Sequence, residues 1–487
     1  MANETLLLLT IIIPIVGIVF IVFFNKSPNL REASTLITAG LLFLINIFLT
    51  LSILNNDISS TIVISKFLPG AELKLTAEPL AAIFGMIASG LWIVTSIYSI
   101  GYMRGKKESN QTRFYSFFAL AISATMGVAY SGNLITLFIF YEILSLSTYP
   151  LVTHHQTEQA KKGGRTYLGV LLSTSIVFFL FAIVWIWSLT GTTEFVPGGI
   201  LNGKASPFIT SLLMILFIFG IGKAGVMPFH RWLPAAMVAP TPVSALLHAV
   251  AVVKAGVFSI LKIVIFIFGL DNLSDTNATE YIIYITAATI IIASIVALKQ
   301  DNLKKMLAYS TVSQLSYIVL AAMLANKPGA IGGALHIASH AFGKITLFFC
   351  AGAIYVASGK TTISQLSGIG KSMPWTMTAF AIGAISIIGL PPTGGFISKW
   401  YILLGAVESK EFILLAVLII STLLSAAYLL PVIYSAFFQE ESSNTISHGE
   451  APIPILIALY TSVFLTFGMF VFPNILLRLV NAIGISL

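Results

Sequence analysis

The run Gly220–Ile260, GIGKAGVMPFHRWLPAAMVAPTPVSALLHAVAVVKAGVFSI, decides how this chain is read. Two apolar runs meet there, each with a lysine inside it, Lys223 and Lys254, and Pro228, Pro234, Pro240 and Pro242 stand between them. An ammonium inside an apolar span costs roughly 2.5–3.5 kcal/mol on insertion scales, so two of them in one short stretch need a reason, and the default reason is an ion path. Prolines beside the charges sharpen that reading. A helix interrupted inside a membrane frees carbonyls that must face protein or water, and discontinuous helices are where transporters hold ions. The competing reading is a kinked packing helix whose lysine snorkels to the interface. Lys254, with apolar sequence on both sides, fits that alternative less well than Lys223 does.

Composition places the rest of the chain around this stretch. Its 487 residues are 57% hydrophobic and 9% charged, with mean hydropathy +0.96. Soluble domains carry about a quarter charged residues, so the expected fold class is an all-α polytopic membrane protein. Apolar windows of spanning length fall near 5–24, 33–54, 79–100, 115–130, 133–153, 167–189, 208–228, 241–267, 281–298, 306–325, 330–357, 375–406, 412–438 and 452–484. The windows at 330–357, rich in glycine, and 375–406, interrupted by GLPPTGG, are both expected to be irregular in mid-membrane. The first window follows MANE, with no basic region and no small-residue cleavage site, and is read as a mature helix. Between the second and third, 61–65 and 71–75 alternate around Pro69-Gly70, which predicts a small extracytoplasmic hairpin.

The net charge of +8 comes from the loops and not from a nucleic-acid surface. Assigning loops alternately to two sides puts fifteen of the 26 Lys and Arg on one side and seven, Lys262 among them, on the other. The richer side is then cytoplasmic and both termini extracytoplasmic. Four lysines remain in spans: Lys223, Lys254, Lys344 and Lys399. Of eighteen Asp and Glu only Glu142 lies deep in a window. A lone carboxylate there either titrates or pairs with a cation.

His336, His340 and Lys344 follow at i, i+4, i+8 and share one helical face over roughly 12 Å. Histidine titrates near neutrality, and burial weakens an ammonium's hold on its proton, so such a row can pass protons in small steps. Two other readings of the histidines stay open. A metal pair needs a nearby carboxylate or thiol, which is missing, and polar packing between helices needs only backbone partners. His248 is a possible accessory group. His154, His155, His230 and His448 read as loop or interface residues. The single cysteine, Cys350, and the lack of zinc, iron–sulfur or nucleotide motifs leave no cofactor, no metal and no catalytic centre expected.

The segments WLPAAMVAPTPVSALLHAVAVVKAGVF, QDNLKKMLAYSTVSQLSYI, HIASHAFGKITLFFCAG and GLPPTGGFISKW closely resemble the antiporter-like subunits shared by respiratory complex I, membrane-bound hydrogenases and Mrp cation/proton antiporters. The likeness runs from about Glu78 to Lys399 and beyond. It implies about fourteen transmembrane helices, with helices four to eight and nine to thirteen forming two inverted repeats whose seventh and twelfth helices are broken. The corresponding divisions are 1–110, three helices and the hairpin; 111–270 and 271–440, the repeats; and 441–487, a last helix.

By the same resemblance, Glu142 is the fifth-helix glutamate paired with Lys223. Lys254 links the half-channels, His336, His340 and Lys344 form the eleventh-helix relay, and Lys399 is the terminal group of the twelfth helix. The chain departs from many relatives in having Ala235 where they read WLPDAM, and in having no acidic residue across 167–189. It resembles the shorter paralogues, the D-type subunit of Mrp or the M-type subunit of complex I. The implied function is proton translocation within a multi-subunit complex of the cytoplasmic membrane. Its partners would be other membrane subunits, H+ and the lipid bilayer. The alternatives are direct Na+ handling, for which one buried carboxylate is thin, and a non-conducting scaffold.

Overall fold

Apolar sequence of spanning length leaves a chain little choice but helix, because inside a bilayer every backbone donor must be satisfied within its own segment. A computed structural model of the chain describes residues 3–56, 60–68, 71–276, 278–440 and 449–483. His448 lies outside the described residues. In chain order the main elements are α1 (Asn3–Phe23), α2 (Pro28–Asn56), the strands β1 (Thr61–Leu68) and β2 (Ala71–Thr76), and α3 (Pro79–Gly105). Next come α4 (Gln111–Ala129), α5 (Leu134–Val152), α6 (Glu158–Thr190), α7 (Pro207–Gly220), α8 (Val243–Phe268) and α9 (Glu280–Leu298). The series ends with α10 (Leu303–Met323), α11 (Lys327–Ser358), α12 (Pro374–Ile388), α13 (Gly394–Glu408), α14 (Phe412–Phe438), α15 (Ile453–Val471) and the short α16 (Asn474–Asn481). Among the described residues eleven helices are long and apolar enough to cross a membrane, and α7 and α12 are shorter apolar helices.

Burial sorts these helices into centre and rim. The apolar window of α8 is 100% buried and that of α10 94%, whereas α1 is 28% and α14 33% buried, so the lysine-bearing α8 runs through the middle of the molecule and α1 and α14 face outward. The strands pair antiparallel, Thr61 opposite Thr76, and form the hairpin on the face where α2 ends and α3 begins. Lys74 of β2 forms an ion pair with Glu194 and so ties the hairpin to the connection after α6.

Two expectations change. Residues 330–357 are not irregular: α11 is one continuous 32-residue helix. Its glycines are points of close approach, not breaks. A Cβ on Gly332 would sit 2.7 Å from the backbone nitrogen of Ile402, and one on Gly352 would sit 1.9 Å from the Tyr98 hydroxyl. The last window, 452–484, is not one helix either. α15 ends at Val471, ahead of Pro473, and α16 restarts beyond it.

α7 stops at Gly220, and a 3-10 turn, Gly222–Ala224, carries Lys223. That turn lies against α8 at Gly256, where a Cβ would be 2.3 Å from the nitrogen of Ala224 and 2.5 Å from the carbonyl carbon of Lys223. Gly256→Ala is expected to lose about 1–3 kcal/mol by overpacking and to shift Lys223. Melting temperature and transport should fall together in this variant, and a wild-type melting profile would refute the contact.

Candidate ion-translocation site

Each interruption of the helices satisfies its own freed backbone, and in doing so fixes a lysine. At the end of α7 the Gly222 carbonyl accepts from Trp232 Nε1 at 2.8 Å, and the Tyr141 hydroxyl on α5 accepts from the Lys223 backbone N–H at 3.1 Å. The Lys223 ammonium then donates to the Tyr141 carbonyl at 2.8 Å and to Ser145 Oγ at 2.6 Å, and lies 3.1 Å from the centroid of the Tyr141 ring. At the second interruption, Gly389 takes a left-handed φ of 92° and closes α12. The last carbonyls of that helix, Ile387 and Ile388, accept from Lys399 Nζ at 3.0 and 2.9 Å. A cation at a helix C-terminus meets the negative end of the helix dipole.

Between these ends lies α11. His340 Nδ1 is in direct contact with Lys254 Nζ of α8, which also donates to the Ala249 carbonyl at 2.8 Å. One turn away His336 Nδ1 is 2.8 Å from Ser398 Oγ, the residue before Lys399, and Ser339 Oγ is 2.8 Å from the same hydroxyl. On the other flank Lys344 Nζ donates to Ser310 Oγ at 2.6 Å, and Ser310 is 2.8 Å from the Tyr428 hydroxyl. Lys223, Lys254, His336, His340, Lys344 and Lys399 are all buried. The arrangement is a row of buried lysines and histidines bonded to hydroxyls, carbonyls and each other.

The direct Glu142–Lys223 ion pair does not form: among the described residues no ion pair within 4.0 Å joins them. The reason is helical phase. Tyr141 and Ser145, four residues apart, share the face that meets Lys223, and Glu142 is turned about 100° from it. Both Glu142 carboxylate oxygens are buried without a hydrogen-bond partner, on the same face as Leu146, which is 53% exposed. His248 is fully buried in α8 between the rings of Tyr167 and Trp232, and neither ring nitrogen has a hydrogen-bond partner. His154, expected at a loop or interface, follows α5 as a loop residue but is itself buried.

Residues 131–425 match the family described as NADH:quinone oxidoreductase/Mrp antiporter, TM. The chain belongs to this family. It is 33% identical over 401 residues to NADH-quinone oxidoreductase subunit N of Desulforudis audaxviator, covering 80% of this chain and 78% of that one. It is 26% identical over 473 residues to the D-type subunit of the Na(+)/H(+) antiporter of Alkalihalophilus pseudofirmus, covering 96% and 94%. A chain of the Mrp complex from Dietzia sp. DQ12-45-1b superposes with a TM-score of 0.89 at 19% identity, over 99% of this chain and 97% of that one, a likeness of fold. Lys254, His340 and Lys399 all lie within the matched range.

Two charged groups of this family member escaped the sequence reading. Lys262, assigned above to a loop, is fully buried in α8 and forms an ion pair with Glu78 at 2.7 Å. It also donates to the Ser131 carbonyl at 2.6 Å. Lys262 already falls inside the 241–267 window, so the loop count is inconsistent with it. The structure keeps it in α8, which runs to Phe268, with the connection after α6 closing over the helix end as Val196 and Ile200 donate to the carbonyls of Phe266 and Ile267. The available signal was spacing, since Lys254 and Lys262 are eight residues apart and share a face. Lys304, counted as a loop lysine, donates to the Ala239 carbonyl at 2.6 Å and lines a cavity of about 350 Å3 with Tyr102, Gln159 and Thr241.

Lys262→Ala leaves the Glu78 carboxylate without its counter-charge, at a cost of about 3–5 kcal/mol. Less assembled protein is expected, and Glu78→Leu with Lys262→Met should recover most of it. A double variant as poor as Lys262→Ala would mean that the charges serve more than each other.

Proposed function

We propose that this chain is a proton-translocating antiporter-like subunit of a multi-subunit membrane assembly, moving H+ along Glu142, Lys223, Lys254, His340, His336, Lys344 and Lys399. The observation that carries the reading is the contact between Lys254 and His340, which joins the lysine-bearing α8 to the row on α11. Two protons on that contact would place two positive charges within hydrogen-bond distance, so the pair holds one and passes it on. His336, bonded to Ser398, then leads to Lys399. Glu142 and Lys223 act as a switch in this scheme. The ammonium alternates between the Tyr141 carbonyl with Ser145 and the unpartnered carboxylate beside them.

The same reading takes α4–α8 and α9–α14 as two repeats of opposite membrane orientation, each broken at its lysine, within the divisions 1–110, 111–270, 271–440 and 441–487. The cavity at Lys304 serves as an inlet from the lysine-rich, cytoplasmic face, with His248 between it and Lys254. The membrane is the inner, cytoplasmic one, with both termini outside the cytoplasm. Partners are the neighbouring membrane subunits of an assembly like those to which the relatives belong. Protons are favoured over Na+ because the buried groups are mainly lysine and histidine, which carry protons and repel cations.

His340→Ala tests the relay. Proton flux in reconstituted vesicles, divided by the amount of assembled protein, should drop on the order of 100-fold while assembly stays normal, the lower end of the usual range for losing a proton-transfer group. Reduced assembly with unchanged flux per complex would make the histidine a packing residue. Normal flux in His336→Ala, His340→Ala and Lys344→Ala alike would leave a scaffold.

A further inference from the structure

At the lysine-rich face, where α1 turns into α2 and α4 begins, lies a pocket of about 470 Å3 lined by Arg31, Glu108, Asn110, Gln111, Thr112 and Arg113. Arg31 is 5% exposed, and its charge is poorly balanced. Its guanidinium reaches Gln111 Oε1 at 2.6 Å and Thr112 Oγ at 3.3 Å, both neutral, and its Nε has no partner. The nearest carboxylate, Glu32, is 3.9 Å away and is already held by Arg104 through two nitrogens, so one carboxylate serves two guanidiniums.

Arg113 donates to the His154 carbonyl at 2.8 Å, and its Nε is likewise unpartnered. Glu108, the acidic group of the pocket, lies 3.5 Å from His155 and 3.9 Å from His154. Burial, then His155 and Arg113, hold the His154 imidazole down to about 4, so at neutral pH that ring adds no charge. Arg31, Arg104 and Arg113 thus face Glu32 and Glu108, with Lys26, Lys106 and Lys107 close by in sequence and no further acid among residues 25–113 of this face. The N-terminus of α4 adds to the positive field. Asn110 precedes it with φ 52° and its side chain does not cap the first N–H groups of the 19-residue helix.

A buried guanidinium without its own counter-charge, beside an uncapped helix start, calls for an anion. The flank of the pocket says which kind. Val19, Phe20, Phe23 and Leu30 are 65%, 51%, 77% and 50% exposed, an apolar surface that leads up to Asn25 at the pocket's edge. We infer that this pocket binds the phosphate of an anionic phospholipid, with the headgroup at Arg31 and Arg113 and the acyl chains along the outer face of α1. Basic residues at the cytoplasmic surface attract such lipids, and the buried apolar chain supplies the rest of the affinity.

The assembled complex, purified in detergent and delipidated, is titrated separately with phosphatidylglycerol, phosphatidylcholine and inorganic phosphate. Bound lipid is counted by native mass spectrometry and the melting temperature is followed. Wild type should retain one more phosphatidylglycerol than Arg31→Gln/Arg113→Gln, and phosphatidylcholine should not replace it. Thr112→Glu, which brings a carboxylate to Arg31, should lose the same lipid yet melt without it as high as wild type does with it. This second variant keeps the test sharp if the arginine changes weaken folding. Equal retention of phosphatidylglycerol in wild type and both variants would overturn the site. Stabilisation by inorganic phosphate equal to that by phosphatidylglycerol would overturn the lipid as its ligand.

Discussion

Lys254→Arg should assemble at wild-type levels and move protons on the order of 100-fold more slowly, the lower range for losing a proton-transfer group. Arginine keeps the positive charge and can still donate towards His340 and the Ala249 carbonyl, the two partners of Lys254. It does not release its proton at any accessible pH. The substitution therefore separates a charge that must titrate from one that only holds two helices together. Flux per complex is measured in reconstituted vesicles against a blank preparation. Wild-type flux in Lys254→Arg would remove the central step of the proposed path. Lys262→Arg is the matching control, because Lys262 sits in an ion pair with Glu78 and is assigned no proton to release. That variant should transport normally.

The second large effect concerns Glu142 and Lys223. Glu142→Gln and Lys223→Ala should each abolish transport, and the double variant should be no worse than either, because two halves of one switch fail as a unit. The structure refines this expectation. In the state it describes, Lys223 is held by the Tyr141 carbonyl and Ser145 Oγ, while the Glu142 oxygens are buried and unpartnered. Ser145→Ala removes one of the holding acceptors and should shift the ammonium towards Glu142, slowing transport without abolishing it. Additive losses across the Glu142 and Lys223 variants would mean that the two residues act separately.

Much of this protein is legible from single-element patterns. A 3.6-residue period is enough to put His336, His340 and Lys344 on one face of α11, since that depends only on the geometry of one helix. Composition is enough to show that Lys223, Lys254, Lys344 and Lys399 lie in apolar surroundings, because the cost of burying a charge makes each of them conspicuous. The long motifs around Lys254 and Lys399 point to the family for the same local reason: they are contiguous in sequence.

What only the tertiary structure decides is which groups meet across elements. Lys254 and His340 are 86 residues apart, Lys223 and Ser145 are 78 apart, and nothing in either segment names its partner. Helical phase also decides the direct contact, because a residue one position along from the contact face is turned by about 100°, and so Tyr141, not Glu142, bonds Lys223 directly. Glycine was ambiguous in α11, where it permits close packing as readily as a break, and the neighbours that settle the matter, Tyr98 and Ile402, lie on other helices. Lys262 lies inside an apolar window, but its partner Glu78 and the segment that covers it come from elsewhere in the chain. The residues from Val196 to Leu201 that cap α8 carry no sign in their own sequence of where they dock. Sequence determined the period, polarity and family of each segment, which are local properties. Partners were decided by packing, where contacts between distant segments depend on the whole chain at once.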